Sequence, residues 1–315
     1  MDVEHVSSLI VEAIGFPMSL YIVTGGLGFI GANLVRELMR KGNEVIIIDS
    51  LHTGSLKKLP DGVRFIKGRS GDVTKVKDRV DGVFHLGMYS SSPMYREDRR
   101  LVTQVVEDAI EVLEYCKENG VKLVYASTSS IYNGNPLPWR EDMPIFVTDF
   151  YTEARYYLER LAQLYGDMYG VESVGLRLFS VYGEGEESKG RYANVLTQMV
   201  WAKLKEEPFE VYGDGTQTRD LIYVGDVVRA FLLAMESDVQ GIFNVGFGRE
   251  VSFNEMARLT GVRVKYVENK IKNYVMRTLA DTTKAEEVLG FRAQVPVEQG
   301  VRILERYYSK FLRVV

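Results

Sequence analysis

The 315-residue chain has a single cysteine, Cys116, which excludes an internal disulfide and predicts a reducing compartment, the cytoplasm. Its three histidines, His5, His52 and His85, are widely separated, and no Cys/His cluster has zinc-site spacing, so no metal is expected. Basic residues are in slight deficit: 39 Lys and Arg against 43 Asp and Glu give a formal charge of −4, unlike the basic excess of a dedicated nucleic-acid binder. No apolar run approaches the ~20 residues needed to cross a bilayer, and no membrane partner is expected. There is no fixed-period repeat and no low-complexity tract. What is present is 46% hydrophobic and 26% charged, a globular composition with enough apolar residues for a large core around an internal site.

Residues 1–17 (MDVEHVSSLIVEAIGFP) lack the positive start and cleavage site of a secretory signal. Val6, Leu9, Ile10 and Ile14 fall on one helical face, which predicts a short surface helix or an extension ahead of a start at Met18.

From residue 18 to about 180 the pattern is strand, then helix, repeated. Strands are predicted at Leu20–Val23, Val45–Ile48, Val63–Ile66, Gly82–Leu86, Lys122–Ala126 and Ser173–Leu178, and helices at Phe29–Arg40, 98–118 and 150–169. Continuous apolar strands alternating with amphipathic helices predict an α/β fold, a doubly wound parallel sheet of Rossmann type. After Tyr182 a glycine-rich charged stretch (EGEESKGR) reads as a loop, followed by mixed short elements. The expected organisation is an extension (1–17), a dinucleotide-binding domain (18–180) and a smaller α/β substrate lobe (181–315). Part of 220–246 is expected to pack back onto the first domain.

Residues 24–31 read TGGLGFIG, placing Gly25, Gly28 and Gly31 between a strand and a helix. A pyrophosphate held against such a turn leaves no room for a Cβ, and the first amides of the helix, here from Phe29 and Ile30, face its charge. Asp49 ends the next strand, eighteen residues after Gly31, close to the ~20 expected of the acidic residue that binds the adenosine ribose. A carboxylate there repels a 2′-phosphate, so NAD is expected rather than NADP.

Further matches follow at regular intervals. Residues 176–185 read LRLFSVYGEG, 212–227 YGDGTQTRDLIYVGDV, 243–246 FNVG and 280–290 ADTTKAEEVLG. With the TGGLGFIG turn, these motifs resemble the extended short-chain dehydrogenase/reductases, and among them the nucleotide-sugar epimerases and dehydratases. The resemblance runs from about residue 18 to 311. It implies a Rossmann fold, bound NAD, a UDP-sugar substrate and a homodimer formed by the helices near 98–118 and 150–169. Tyr157 and Leu164, off the buried stripe, are candidates for that seam.

The resemblance makes Tyr151 the catalytic tyrosine. Four residues on, Arg155 stands where the family has lysine; positions i and i+4 share a helix face. One positive charge ~5 Å from a phenolate, at an effective dielectric of ~20, favours it by roughly 3 kcal/mol. Arg155 keeps that charge, with a different shape and donor geometry, and is also expected at the nicotinamide ribose. Alignment of Tyr132 places Thr128 at the catalytic hydroxyl, with Ser127 and Ser129 as rivals. The dehydratases' Thr-Asp-Glu is Thr128-Ser129-Ser130 here, which supplies no acid for eliminating water.

Asp72 matches the family aspartate at the adenine amino group, and Val105 stands where a cofactor-contacting asparagine is usual. In His85-Leu86-Gly87-Met88 the last two residues depart from the family's alanines, and His85 reads as a packed strand-end histidine. On the substrate side the resemblance implies Arg219 gripping a diphosphate, Ser180 in place of an asparagine, and Asn194 within reach. The family's Arg-x-Gly-Asp has no match; Ile271-Lys272-Asn273-Tyr274 stands there. The expected activity is NAD-dependent 4-epimerisation of a UDP-hexose through a transient 4-keto sugar. The alternatives are a net dehydrogenase or reductase of the same fold, or a non-catalytic binder with Arg155 for lysine.

Overall fold

The computed structural model describes residues 18–270 and 274–312; the amphipathic pattern of 1–17 and positions 271–273 lie outside the described residues. The first half runs β1 (Leu20–Thr24), α1 (Phe29–Arg40), β2 (Glu44–Asp49), β3 (Arg64–Lys67), β4 (Gly82–His85), α2 (Ser92–Glu97), α3 (Leu101–Asn119), β5 (Lys122–Thr128), α4 (Phe150–Tyr169), β6 (Ser173–Leu178) and β7 (Ser180–Tyr182). Then come α5 (Val195–Leu204), β8 (Phe209–Tyr212), β9 (Thr218–Tyr223), α6 (Val224–Glu236), β10 (Gly241–Val245), β11 (Glu250–Ser252), α7 (Phe253–Thr260), β12 (Val264–Val267), α8 (Thr283–Glu287) and α9 (Val297–Leu312).

Seven strands form one parallel sheet in the order β10-β6-β5-β4-β1-β2-β3, the doubly wound Rossmann arrangement with β10 added at one edge. Strand order reverses between β1 and β4, which opens a crevice at their carboxyl ends. The inner strands are mostly apolar because both faces are covered, whereas the edge strand β3 (RFIK) has exposed charged ends. On one face, Leu34, Val35 and Leu38 of α1 pack with Val227 and Phe231 of α6 and Phe84 of β4. Fully burying each such side chain contributes roughly 2 kcal/mol. On the other face, Val112, Leu113 and Cys116 of α3 meet Leu158 and Ala162 of α4. A separate core of Tyr182, Leu196, Met199, Leu221, Met256 and Leu304 holds the elements that follow β7.

His85, at the carboxyl end of β4, is fully buried, and its Nδ1 lies 2.8 Å from the Thr24 hydroxyl. Burial first, and the Arg155 charge second, push its pKa from the usual 6.5 down to about 3. A base depressed by folding stabilises the native state fully above its unfolded value and loses that contribution as pH falls toward the folded one. The loss is roughly 2 kcal/mol by pH 5. We therefore expect His85→Asn to flatten the fall in stability between pH 6.5 and 4. Denaturant titrations across that range test this, and an unchanged slope would contradict it.

Candidate active site

The crevice is a cleft of about 440 Å³. Its floor begins with the glycine turn. Gly25 has φ +69°, and a Cβ there would lie 2.7 Å from the Cα of Gly87. A Cβ on Gly31 would lie 2.1 Å from the Gly25 carbonyl oxygen. The turn is thus folded as tightly as backbone allows, with β1 and the segment after β4 in direct contact. Gly28 precedes α1 without a side-chain cap, and no acidic residue occupies the first turn. Gly28, Phe29, Ile30 and Gly31 all line the cleft, so the helix presents unfilled N–H donors to it.

Asp49 ends β2 and is buried beside this turn. Its Oδ2 accepts the Leu27 N–H at 2.9 Å and its Oδ1 the Leu51 N–H at 2.7 Å. The carboxylate lines the cleft with acceptor capacity left over for a ribose. Asp72, expected at the adenine, has partners within its own turn, next to Gly68, Arg69 and Ser70 of the cleft wall. It sits in the 3₁₀ turn Ser70–Lys75 and is not among the residues lining the cleft. Its carboxylate accepts the Arg69 N–H at 3.1 Å and pairs with Lys75 at 2.8 Å, as an acidic residue in the first turn of a helix commonly does. Asp108 is the carboxylate that lines the cleft at this end, held by Arg69 and by the Gly71 N–H.

Tyr151 and Arg155 lie on the first turns of α4, which Asp149 caps by accepting the Thr152 N–H at 2.7 Å. Both line the cleft, and the guanidinium carbon stands 5.2 Å from the centre of the Tyr151 ring. Among the described residues the Tyr151 hydroxyl has no hydrogen-bond partner, while its ring packs edge-on to Tyr95 at 5.7 Å. Arg155 is buried and engaged: Nη1 donates to the Ala126 carbonyl (3.1 Å) and contacts the Met88 sulfur (3.1 Å), and Nη2 donates to the Tyr89 carbonyl (2.9 Å). Among the described residues its buried Nε–H has no partner. Met88 and Arg155, both departures from the family pattern, therefore touch. Val105, a third, lies buried with Tyr95 and Ala154 in the apolar cluster against which Tyr151 packs.

Thr128 is the last residue of β5 and is buried at the cleft wall. Its Oγ1 accepts the Ser130 N–H at 3.2 Å and lies 3.1 Å from Ser130 Oγ, which is 2.9 Å from the Thr152 hydroxyl. This chain of hydroxyls ties the strand end to the residue after Tyr151. Ser127 is already committed, donating to Glu159 at 2.5 Å within a buried ion pair to Arg177. Ser129 also lines the cleft.

At the far end Arg219 lines the cleft from β9, its guanidinium carbon 5.4 Å from the Phe253 ring and 5.5 Å from that of Tyr274. Burial lowers its pKa, and Tyr274 acts in the opposite direction. The neighbouring Asp220 is fully buried and accepts the N–H groups of Phe247, Gly248 and Ala280, which fixes β9 against the following turns. Ser180 lines the cleft at the start of β7. Asn194 lines it too, but its side chain caps α5 through the Leu196 N–H (2.9 Å) and donates to the Val181 carbonyl (3.0 Å). The expected substrate contact of Asn194 thus competes with a structural one. Sequence reasoning passed over His52, Tyr89, Lys189 and Tyr192, which complete the walls. Of these, Lys189 was signalled only by the charge of its loop. Among the described residues no group of three or more His, Cys, Asp or Glu side chains is set to hold a metal, and no helix is long and apolar enough to cross a membrane.

A Rossmann sheet with a glycine turn at its switch point, and a tyrosine paired with a cation on the same cleft, defines the short-chain dehydrogenase/reductase class of dinucleotide-binding protein. Within it, residues 21–246 match the model of the NAD dependent epimerase/dehydratase family, and the chain belongs to that family. NAD is its cofactor, and the tight turn, the unfilled helix donors and Asp49 fit that group. A UDP-glucuronic acid decarboxylase of Arabidopsis thaliana is 33% identical over 313 residues, covering 93% of this chain and 90% of the relative. The UDP-glucose 4-epimerase of Thermotoga maritima, solved with UDP-glucose, superposes with a TM-score of 0.87 at 30% identity, over 93% of this chain and 99% of that one. The UDP-glucose 4-epimerase of Thermus thermophilus, solved with NAD, gives 0.84 at 30% identity, over 92% and 98%.

Proposed function

We propose that this chain is an NAD-dependent 4-epimerase of a UDP-hexose. The observation that carries the reading is the convergence of the Tyr151 hydroxyl, the Thr128 hydroxyl, the Arg155 cation and the glycine turn on one cleft, with Arg219 at its other end. Two structural neighbours named as UDP-glucose 4-epimerases support it. Bound NAD supplies the reversible oxidation at carbon 4. Tyr151 oxygen takes the proton of the sugar 4-hydroxyl and gives it back on the return. The Arg155 charge favours the oxygen in its negative state, while Thr128 positions the same hydroxyl by hydrogen bonding. Arg219 binds the diphosphate with its planar fork, and Ser180 adds a donor beside it. Asp49 and the amides of Phe29 and Ile30 hold the dinucleotide.

The test is incubation of the purified chain with UDP-glucose, UDP-galactose and their uronic and N-acetyl relatives, without added reductant. The reading predicts interconversion of 4-epimers in at least one pair. Carbon dioxide release from UDP-glucuronate would replace it with decarboxylation, and stoichiometric NADH with net dehydrogenation.

The same reading includes a homodimer. Phe150, Tyr157, Leu164 and Met168 are exposed along α4, and Ile110 is exposed on α3. Burying such a stripe against a second copy removes apolar area from water. Light scattering is expected to give twice the 35.8 kDa chain mass, and Tyr157→Lys with Leu164→Lys to give the monomer. A monomeric parent chain would contradict the dimer.

A further inference from the structure

The loop from Glu184 to Tyr192 crosses from the lobe beyond β7 to the glycine turn. It is tied to the Rossmann side at three points: Asn33 Nδ2 donates to the Glu184 carbonyl (3.0 Å), and Lys58 Nζ donates to the Gly185 carbonyl (2.6 Å) and to Ser188 Oγ (2.9 Å). On the other side Glu186 is fully buried. Its carboxylate accepts the Thr197 hydroxyl (2.5 Å), the Asn194 N–H (2.9 Å) and Lys189 Nζ (3.0 Å). This carboxylate fixes where the Lys189 ammonium sits.

That place is the wall of the cleft. The Lys189 side chain is only 15% exposed, and its Nζ lies 5.3 Å from the centre of the Phe29 ring, on the first residue of α1. An ammonium has three N–H donors. Glu186 takes one, and among the described residues the other two have no acceptor. A nearly buried cation with unfilled donors therefore stands over the helix start whose own N–H groups are unfilled. Two sets of donors facing one cleft call for an anion with oxygens on more than one side, and a diphosphate has that form.

We propose that Lys189 is a diphosphate-binding residue that closes the cleft opposite the glycine turn, with the NAD pyrophosphate as its partner. Lys189 lies next to Phe29 and belongs to the loop that bridges the two parts of the chain, so one contact ties the cofactor to the lobe that carries Arg219. The assignment rests on NAD as cofactor and not on the identity of the sugar. The cleft also serves a second diphosphate under the proposed function, and the experiment separates the two sources.

Binding of NAD, adenosine and UDP to the full-length chain is measured by calorimetry for the parent, Lys189→Met, Lys189→Gln and Lys189→Arg. Loss of a charged hydrogen bond weakens binding by roughly 10- to 100-fold. We expect that loss for NAD in K189M and K189Q, no change for adenosine, which has no phosphate, and near-parent affinity in K189R. A loss confined to UDP keeps the residue as a diphosphate ligand and assigns it to the sugar nucleotide. Unchanged affinity for both nucleotides in the folded neutral variants overturns the proposal, as does an equal loss for adenosine. Two neutral variants are included so that poor folding of one leaves the other to decide. The NAD arm stands even if no UDP-sugar is turned over.

Discussion

Replacing Tyr151 by Phe is expected to lower kcat by about a thousandfold, within the 10²- to 10⁴-fold range of a positioned acid–base group. The expectation is sharp because the lost oxygen has no other task. No described residue hydrogen-bonds it, so its removal leaves no buried donor or acceptor unpaired. The ring keeps its edge contact with Tyr95 and its place over the Arg155 guanidinium. Stability and NAD affinity are therefore expected to stay near the parent values while turnover collapses. Steady-state kinetics beside thermal unfolding and NAD titration separate these outcomes. A variant that turns over within tenfold of the parent would remove Tyr151 from the chemistry.

Gly31→Ala is expected to act at the other end of the same cofactor. The added methyl would sit 2.1 Å from the Gly25 carbonyl oxygen and 2.9 Å from the Cα of Gly26, and both obstacles are backbone. Neither can rotate aside, so α1 must move away from the turn. Pulling the helix amides away from the pyrophosphate loses hydrogen bonds to a charged group and weakens NAD binding by roughly 10- to 100-fold. NAD affinity is the measurement, with UDP affinity as the internal control, since Arg219 and Ser180 are held by β9 and β7. Parent-like NAD binding in G31A would mean that the dinucleotide does not use this turn.

Much of this was legible in the sequence for a simple reason. Strands buried on both faces must be mostly apolar, so Val45–Ile48 announced itself, as did Ser173–Leu178 apart from Arg177, and the helix at Phe29–Arg40 carries its buried face at regular spacing. The Tyr151–Arg155 pair was legible through the family resemblance that marks Tyr151, and helical geometry, which puts i and i+4 on one face, then joins the two. What was not legible is what those side chains do once distant segments arrive. Arg155 is held by carbonyls at Ala126 and Tyr89 and by the Met88 sulfur, three partners from two other strand ends. No spacing rule relates residue 155 to residue 88. Asp72 and Asn194 show the same limit from the other direction. Each stands in a family-like motif, yet a turn and a helix cap use the side chain locally. Lys189 reads as one charge in a charged loop until the fold lays that loop across the helix start.

The proposed epimerisation requires carbon 4 of the sugar to be oxidised and reduced again within one site. UDP-glucose carrying deuterium at that carbon tests this most directly, followed to product by mass and NMR analysis in ordinary water. The predicted result is the 4-epimer with the deuterium still on the same carbon and none in the solvent. Recovery of the 4-epimer with the label washed out, or no 4-epimer at all while NAD and UDP both bind, would contradict hydride return at carbon 4.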